Sequence, residues 1–370
     1  MKVCICADGE SIHTQRWVNY FVNKGHQVFL ISDRHYKYKS LKFFPLKNFF
    51  CNNLLNYLFH IYEVKRIINR INPDLVHALY ISKYGALAAF SGFHPLILSP
   101  WGSDISVDPS RSRLYNFLIR YALKKADYVL TGVDSFKRRL IELGCKEKKI
   151  VFAPIECVDL SKFNPKKASN SLRKSFGGDK NFLVLNTCVA LPIYRPEIFI
   201  KAIPLILKQI PNVNFILISG KKSAMPKEKL KRLIQDLGVQ NQVKYVDYIP
   251  HLEMPSYLAS VDLCVDSFIP ILPIKPEDTF LNVGITPLES MACATPILMS
   301  DRNILPKSPE LYYTSQNFQE LADKIVKLLK SKKLRKKIES AIQTFVKQRV
   351  DEKRIMANWE NFYKKVKKNF

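Results

Sequence analysis

The segment Thr286-Pro-Leu-Glu-Ser-Met-Ala-Cys-Ala-Thr-Pro-Ile-Leu298 reads as a helix start, a short helix and the entry to a buried strand. Pro287 suits the first helical turn, where its missing N–H costs nothing, and Leu288 and Met291 share one apolar face. We expect the carboxylate of Glu289 on that first turn. A helix start of this kind can bind a nucleotide, with amides for phosphate and the carboxylate for ribose hydroxyls. The alternative is a surface glutamate that stabilises the helix dipole.

Short apolar runs alternate with helical patterns on both sides of this segment. Runs typical of buried parallel strands lie at 3–7, 26–32, 96–99, 182–187, 213–220 (a strand and its turn) and 263–267. This alternation predicts parallel sheets covered by helices, and 370 residues suffice for two such domains. We place the domains and their connections at 1–165, 166–180 (a polar linker), 181–345 and 346–370 (a C-terminal helix).

The composition indicates an anionic partner. The formal net charge is +26, from 58 Lys and Arg against 32 Asp and Glu, and such a charge favours phosphate-bearing ligands or membrane surfaces. Coding from an A/T-rich genome is an alternative source of part of the charge. No zinc finger, RNA-recognition motif or arginine-rich arm is present, so we do not expect nucleic acid as a partner. The eight cysteines lack metal-ligand spacing, which predicts a reduced, cytoplasmic chain without a bound metal.

Residues 36–70 interleave Lys and Arg with Phe and Tyr. Cations at lipid phosphates and rings at the headgroup boundary would suit an anionic membrane surface, which would place the chain peripherally on the inner face of the membrane. The alternative is a loop and a core-packed helix with a solvated basic edge. No apolar run is long enough for a transmembrane helix.

A candidate binding rim follows the first strand. Gly9 and Glu10 lie in a turn at its carboxyl end, where open α/β sheets bind ligands. The turn lacks Gly-x-Gly-x-x-Gly, so a nicotinamide cofactor is not indicated. His77 and Asp104 belong to the ends of later strands, and we expect them to face the same rim. A single histidine such as His77 is more often structural than catalytic.

Several segments resemble one enzyme family. Residues 284–296 resemble the donor-site motif of the GT4-like retaining glycosyltransferases (glycosyl transferases group 1), and residues 11–18 and 24–28 resemble their opening. The resemblance extends in order along the chain. It implies the α/β GT-B fold: two Rossmann-like parallel-sheet domains facing across a cleft, with the last helix crossing back to the first domain.

The resemblance also implies an activity. It is metal-independent, cofactor-free transfer of a hexosyl group from a nucleotide-sugar to a glycan or lipid-linked acceptor, with retention, in cell-surface polysaccharide (such as lipopolysaccharide) or glycoconjugate synthesis. The residues that match the family's catalytic positions are His77, Asp104 and Glu289. Those on the acceptor side are Gly9, Glu10, His77, Trp101 and Asp104. Those that bind the donor are Thr187, Arg195, Gly220, Lys221, Ser267, Gly284, Ile285, Thr286, Pro287, Leu288 and Glu289.

The chain departs from the family pattern at several chemical positions. Trp101 replaces a histidine that contacts the sugar, and Cys188 and Tyr194 replace the arginine and lysine that hold the donor diphosphate. Leu281 replaces an acid that touches the sugar. A diphosphate needs cations, and Arg195, Lys221, Lys222 or Lys275 could supply them. The alternative function is therefore a catalytically degenerate GT-B protein that binds a glycan, a nucleotide or a partner.

Overall fold

The computed structural model describes residues 1–36, 41–188, 194–219, 227–268, 272, 275, 278, 283–300, 309–314 and 316–370. The chain forms two compact units. Unit 1 consists of Met1–Ile155 with Lys353–Phe370, and unit 2 consists of Glu156–Glu352. The predicted division into two α/β domains is confirmed, but the first boundary lies after Ile155 rather than after 165.

Unit 1 is built on a parallel sheet, to which the described residues contribute seven strands in the order β3-β2-β1-β4-β5-β6-β7. The central strands are buried on both faces, so their sequences are almost continuously apolar. The strands are β1 Lys2–Cys6, β2 Gln27–Ser32, β3 Lys42–Pro45, β4 Leu75–Leu79, β5 Leu96–Ser99, β6 Tyr128–Thr131 and β7 Ile150–Phe152.

Helices connect these strands. They are α1 Ile12–Asn23, α2 Asn53–Ile71, α3 Ala86–Ser91, α4 Ser103–Ser106, α5 Asp108–Arg111, α6 Arg113–Lys125 and α7 Asp134–Glu142, with a π-helical turn at Ile81–Gly85. The Asn52 side chain accepts hydrogen bonds from the first amides of α2, and Asn72 in left-handed conformation ends it.

Unit 2 contains a second parallel sheet, whose described strands follow the order β10-β9-β8-β11-β12-β13. The strands are β8 Phe182–Asn186, β9 Val213–Ile218, β10 Val243–Val246, β11 Leu263–Asp266, β12 Ile297–Ser300 and β13 Tyr312–Tyr313. The helices are α8 Asn170–Ser175, α9 Pro196–Gln209, α10 Lys227–Asp236, α11 Met254–Ser260, α12 Ile285–Ala292, α13 Phe318–Lys330 and α14 Lys332–Arg349.

The last helix, α15 Glu352–Asn369, belongs to unit 1 from Lys353 onward. Its buried face packs on α1, where the ring of Tyr363 stacks on Phe21 with centroids 4.8 Å apart. The Trp359 indole N–H donates to the Pro154 carbonyl at 3.0 Å. The predicted return of the C-terminal helix to the first domain is confirmed, but that helix begins at Glu352 rather than at 346.

The predicted linker at 166–180 is wrong. This segment forms the 3-10 turn Pro165–Lys167 and helix α8, both within unit 2. The Arg173 guanidinium contacts Asp262 at 2.9 Å and the Ser260 carbonyl at 3.0 Å. The polar composition therefore reflects a small surface helix tied down by an ion pair, rather than a free connection.

Each sheet has a switch point, at which successive strands begin to be added on the opposite side of the first strand. It lies between β1 and β4 in unit 1 and between β8 and β11 in unit 2. Ligands of open α/β sheets bind beyond the carboxyl ends of the strands at such points. Among the described residues, no helix is both long and apolar enough to cross a membrane.

Candidate functional site

The switch point of unit 2 brings together Thr187, after β8, and Ser267, after β11. The Thr187 backbone N–H and hydroxyl both donate to the Val265 carbonyl, at 2.9 and 3.2 Å. The Ser267 hydroxyl donates to the Tyr194 carbonyl. Both predicted donor residues therefore lie at the carboxyl edge of the sheet, with their hydroxyls engaged in holding the loops.

Helix α12 begins as the sequence predicted in one respect, with Pro287 in its first turn. Gly284 precedes it with φ +77° and ψ 169°, a backbone conformation that suits glycine. Glycine has no side chain that could cap the helix, so the amides at Ile285 and Thr286 can serve a ligand. Leu288 faces the core.

Glu289 is not on the first turn of this helix, which corrects the prediction. Because α12 starts at Ile285, Glu289 begins its second turn, and its side chain is only 1% exposed. Its Oε1 atom lies 2.7 Å from Nε2 of His251. The alternative of a solvated surface glutamate is wrong as well. Sequence reasoning missed His251, because a histidine in a polar loop gives no sign of its distant partner.

The side chains that could neutralise a diphosphate at this rim differ from those that the resemblance implied. Arg195 precedes α9 in left-handed conformation, at φ +43°, and its Nε donates to Glu197 at 2.6 Å. Cys188 donates its thiol to Asp266 at 2.9 Å. Gly220 and Lys221, with Lys222 and Leu281, lie outside the described residues.

The unit 1 rim begins at the tight turn after β1. The Gly9 amide donates to the Ser32 hydroxyl at 2.9 Å, and a Cβ at Gly9 would lie 3.0 Å from the carbonyl oxygens of Arg34 and His35. This close approach explains the glycine. Glu10 is exposed in the same turn, as an acceptor-side residue would be.

Asp104 holds the loop that follows β5. It is fully buried, and its carboxylate accepts from the amides of Ile81, Trp101 and Gly102, at 2.7, 3.0 and 2.9 Å. Burial raises its pKa to about 6, against the opposing effect of the three amides, and Asp108 adds to the rise. Asp104 therefore shapes the rim rather than presenting its carboxylate to a ligand.

His77 does not face the rim, which corrects that prediction. It is the third residue of β4 and is 0% exposed. Nε2 lies 2.8 Å from the Ser99 hydroxyl and Nδ1 lies 2.5 Å from the Tyr363 hydroxyl. Burial lowers its pKa to about 3, so the imidazole is neutral at physiological pH. Both ring nitrogens are used inside the core.

Trp101 does stand at the rim, where its ring lies 4.2 Å from that of His13 on α1. Sequence reasoning missed a second rim cluster, in which Asp33 accepts from Lys83 at 2.5 Å and from the Tyr84 hydroxyl. Burial would raise the pKa of Asp33, but these two donors outweigh it and lower the pKa.

No group of three or more His, Cys, Asp or Glu side chains in the described part of the chain is arranged to hold a metal ion. The prediction that no metal or other cofactor is used stays a prediction.

Two family models match the chain. The one described as Glycosyl transferase 4-like covers residues 2–132, and the one described as Glycosyl transferases group 1 covers residues 170–345. Among curated proteins, the chain is 27% identical over 246 residues to a GDP-mannose-dependent alpha-(1-6)-phosphatidylinositol monomannoside mannosyltransferase of Mycolicibacterium smegmatis. The match covers 64% of this chain and spans 60% of that relative's length.

Solved structures share the fold. HepE of Anabaena, in complex with UDP and glucose, superposes with a TM-score of 0.76 at 20% identity, covering 99% of this chain and 100% of that one. Sucrose-phosphate synthase of Thermosynechococcus elongatus superposes with a TM-score of 0.79 at 15% identity, covering 99% of both chains. The predicted fold of two Rossmann-like, parallel-sheet domains is thereby confirmed as GT-B.

Proposed function

The chain belongs to the GT4-like, group 1 glycosyltransferases, and we propose that it moves a hexosyl group from a nucleotide-sugar to a glycan or lipid-linked acceptor with retention and without a metal ion. The product would be a cell-surface polysaccharide, such as lipopolysaccharide, or another glycoconjugate. The observation that carries this proposal is the buried carboxylate of Glu289 on α12, beside a helix start whose N-cap residue, Gly284, has no side chain to cap it.

The donor would bind at the rim of unit 2. Ribose hydroxyls would donate to Glu289, and a phosphate oxygen would accept from the first amides of α12. Arg195 would pair with the diphosphate in exchange for its present contact with Glu197, and Lys221 or Lys222 would add charge. The complex of HepE with UDP and glucose supports a nucleotide-sugar as the ligand class.

The acceptor would bind at the rim of unit 1. The Trp101 ring offers an apolar face for a sugar, and Glu10 is exposed to receive hydroxyl protons. Asp104 would act by fixing the loop that follows β5. His77 would act only by packing in the core of unit 1. Transfer would then depend on stabilising the leaving diphosphate and on positioning the acceptor hydroxyl.

Donor binding is tested by thermal denaturation with UDP-, GDP-, ADP- and dTDP-sugars, since a ligand of the folded state raises Tm by mass action. We expect one nucleotide class to raise Tm in the wild type but not in Glu289→Gln. Glu339→Gln, in α14, is the matched control and should keep the shift. A shift that survives Glu289→Gln would place the nucleotide elsewhere.

Catalysis is tested with the nucleotide-sugar that binds and a panel of lipid-linked and free glycan acceptors. We expect transfer that persists in EDTA, and an NMR coupling constant of the product that matches the donor's anomeric configuration. Arg195→Ala together with changes at Lys221 and Lys222 should weaken donor binding. Binding without transfer to any acceptor would favour the catalytically degenerate alternative.

We also propose that unit 1 docks on an anionic phospholipid bilayer. Large apolar side chains are exposed on α2, on the segment just before it and on α6, and both helices pack on α3. This α2–α6 surface comprises Phe49, Phe50, Leu54, Leu55, Leu58, Tyr62, Leu114, Tyr115 and Phe117. Exposed cations flank it at Lys47, Lys65, Arg66, Arg70, Arg113 and Arg120.

The surface is narrower than the predicted range 36–70 at one end. Tyr36 is buried, and Phe43 and Phe44 are partly buried against their neighbours; residues 37–40 lie outside the described part of the chain. Each cation near an anionic bilayer contributes about 1 kcal/mol, so the exposed cations around this surface complement an anionic lipid surface.

Flotation with vesicles tests the docking. We expect binding to phosphatidylglycerol vesicles that weakens with salt and with neutral lipid. Leu58→Gln combined with Phe117→Gln should abolish it, whereas Ile141→Gln, an exposed apolar residue of α7 in the same unit, should not. Equal vesicle binding by the double variant and by Ile141→Gln would refute the assignment of this surface.

A further inference from the structure

The pair of Glu289 and His251 is the feature that the family assignment does not explain. Nε2 of His251 lies 2.7 Å from Oε1 of Glu289, and the imidazole is 36% exposed while the carboxylate is 1% exposed. The two residues come from different elements, the loop before α11 and the second turn of α12. The histidine therefore connects an almost completely buried carboxylate to the solvent side of unit 2.

A buried carboxylate needs donors, since desolvation without a hydrogen bond is costly. In the part of the chain that the structure describes, His251 is the donor that Glu289 has, and Oε2 carries no hydrogen bond. Nε2 must carry the proton that it donates. The contact consequently fixes one carboxylate oxygen and leaves the other for a ligand.

The histidine is itself held in place. Its ring packs at 5.4 Å from the ring of Phe163, in the segment that precedes α8. A side chain that is supported by packing loses less conformational freedom when it forms a hydrogen bond. The arrangement has the form of a preorganised pair, in which one residue orients a second residue that contacts the ligand.

We propose that His251 is a positioning residue of the nucleotide site, and that it makes the site select ribonucleoside over 2′-deoxyribonucleoside diphosphates. The proposal rests on the proposed function, in which Glu289 accepts from the ribose hydroxyls. A hydrogen bond from the 2′-hydroxyl to the carboxylate distinguishes ribose from 2′-deoxyribose only when the carboxylate is held in one orientation. A carboxylate that rotates freely can compensate for a missing hydroxyl, for example by taking up water.

The experiment compares two ligands in several proteins. The affinity of the nucleoside diphosphate that raises Tm (UDP, GDP or ADP) and of its 2′-deoxy counterpart is measured by calorimetry. We expect the wild type to prefer the ribonucleotide by about tenfold or more, as for a hydrogen bond to a charged acceptor. His251→Phe, which retains an aromatic ring against Phe163 but lacks the donor, should reduce this ratio to about one.

Two further variants make the result specific. His251→Gln keeps an N–H donor and should restore most of the ratio. His94→Gln alters a similar contact elsewhere, to Asp127 at 2.7 Å in unit 1, and should leave the ratio unchanged. A purely structural role would lower the affinity of both nucleotides equally and keep their ratio, and that result would overturn the inference.

The outcomes also separate this inference from the proposed function. If the wild type binds no nucleoside diphosphate, or does not distinguish the two sugars, the proposed site around Glu289 is wrong and the inference is wrong with it. If the wild type distinguishes them and His251→Phe does so equally, only the role of His251 is refuted.

Discussion

Between pH 7 and pH 5, we expect His77 to lower the free energy of unfolding of unit 1 by about 2 kcal/mol. Replacing His77 with glutamine should remove this part of the pH dependence. Burial lowers the pKa of His77 to about 3 in the folded chain, whereas an unfolded histidine titrates near about 6.5. The folded imidazole stays neutral over this interval while the unfolded one gains a proton. His77 therefore contributes fully above about pH 6.5, and that stability is lost as the pH falls towards 3, by about 1.4 kcal/mol per unit.

Tryptophan fluorescence isolates the relevant unit, because the chain has 3 tryptophans and all lie in unit 1: Trp17, Trp101 and Trp359. Urea unfolding would be followed at pH 7 and at pH 5 in the wild type and in His77→Gln. Asp104, whose pKa is raised to about 6, titrates in both proteins and cancels when their pH dependences are subtracted.

His35→Gln, a substitution at an exposed histidine of the same unit, is the matched control. The result that would refute the reasoning is an equal change in unfolding free energy for the wild type and for His77→Gln. That result would mean that His77 takes up a proton inside the fold as readily as in the unfolded chain.

Three further perturbations have expected outcomes. Tyr363→Phe deprives buried His77 of a partner, and should lower the urea unfolding free energy of unit 1 by about 1–3 kcal/mol. Gly132→Ala places a Cβ 2.6 Å from the Ala153 carbonyl; since backbone must move to relieve this contact, we expect a lower Tm by calorimetry. Asp104→Asn turns an acceptor of three amides into a group that also donates, so Trp101 fluorescence should report a disturbed loop before global unfolding.

Alternation of apolar runs and helical patterns was sufficient to predict both sheets, because a parallel strand that is buried on both faces has a composition that little else shares. The same property means that the sequence does not indicate to which face of the sheet a side chain points. A strand that is apolar throughout has no inward and outward sides in its sequence, so the direction of His77 could not be read from 75–79. The structure places its ring against Trp17 of α1 and Tyr363 of α15.

The candidate site was only partly predictable for a related reason. Pro287 and Gly284 act locally, through backbone conformation, and their effect on the start of α12 is visible in the sequence. Glu289 and His251 are 38 residues apart, and no local pattern connects them. The exposed apolar residues of α6, such as Leu114 and Phe117, were likewise missed, because one apolar face is expected of any helix.

Unit 1 consists of two segments that are far apart in the sequence, and this affects how the chain folds during its synthesis on the ribosome. Tyr363 fills a place beside His77, yet it follows that residue by 286 positions. At about 5–20 residues per second, the roughly 200 residues of unit 2 delay its arrival by about 10 to 40 s. During that time, the groove of unit 1 that receives α15 is open on the nascent chain, whereas unit 2 is continuous and can fold as soon as it emerges. We therefore expect unit 2 to complete its folding before unit 1, in the reverse of the order in which the two begin to be made.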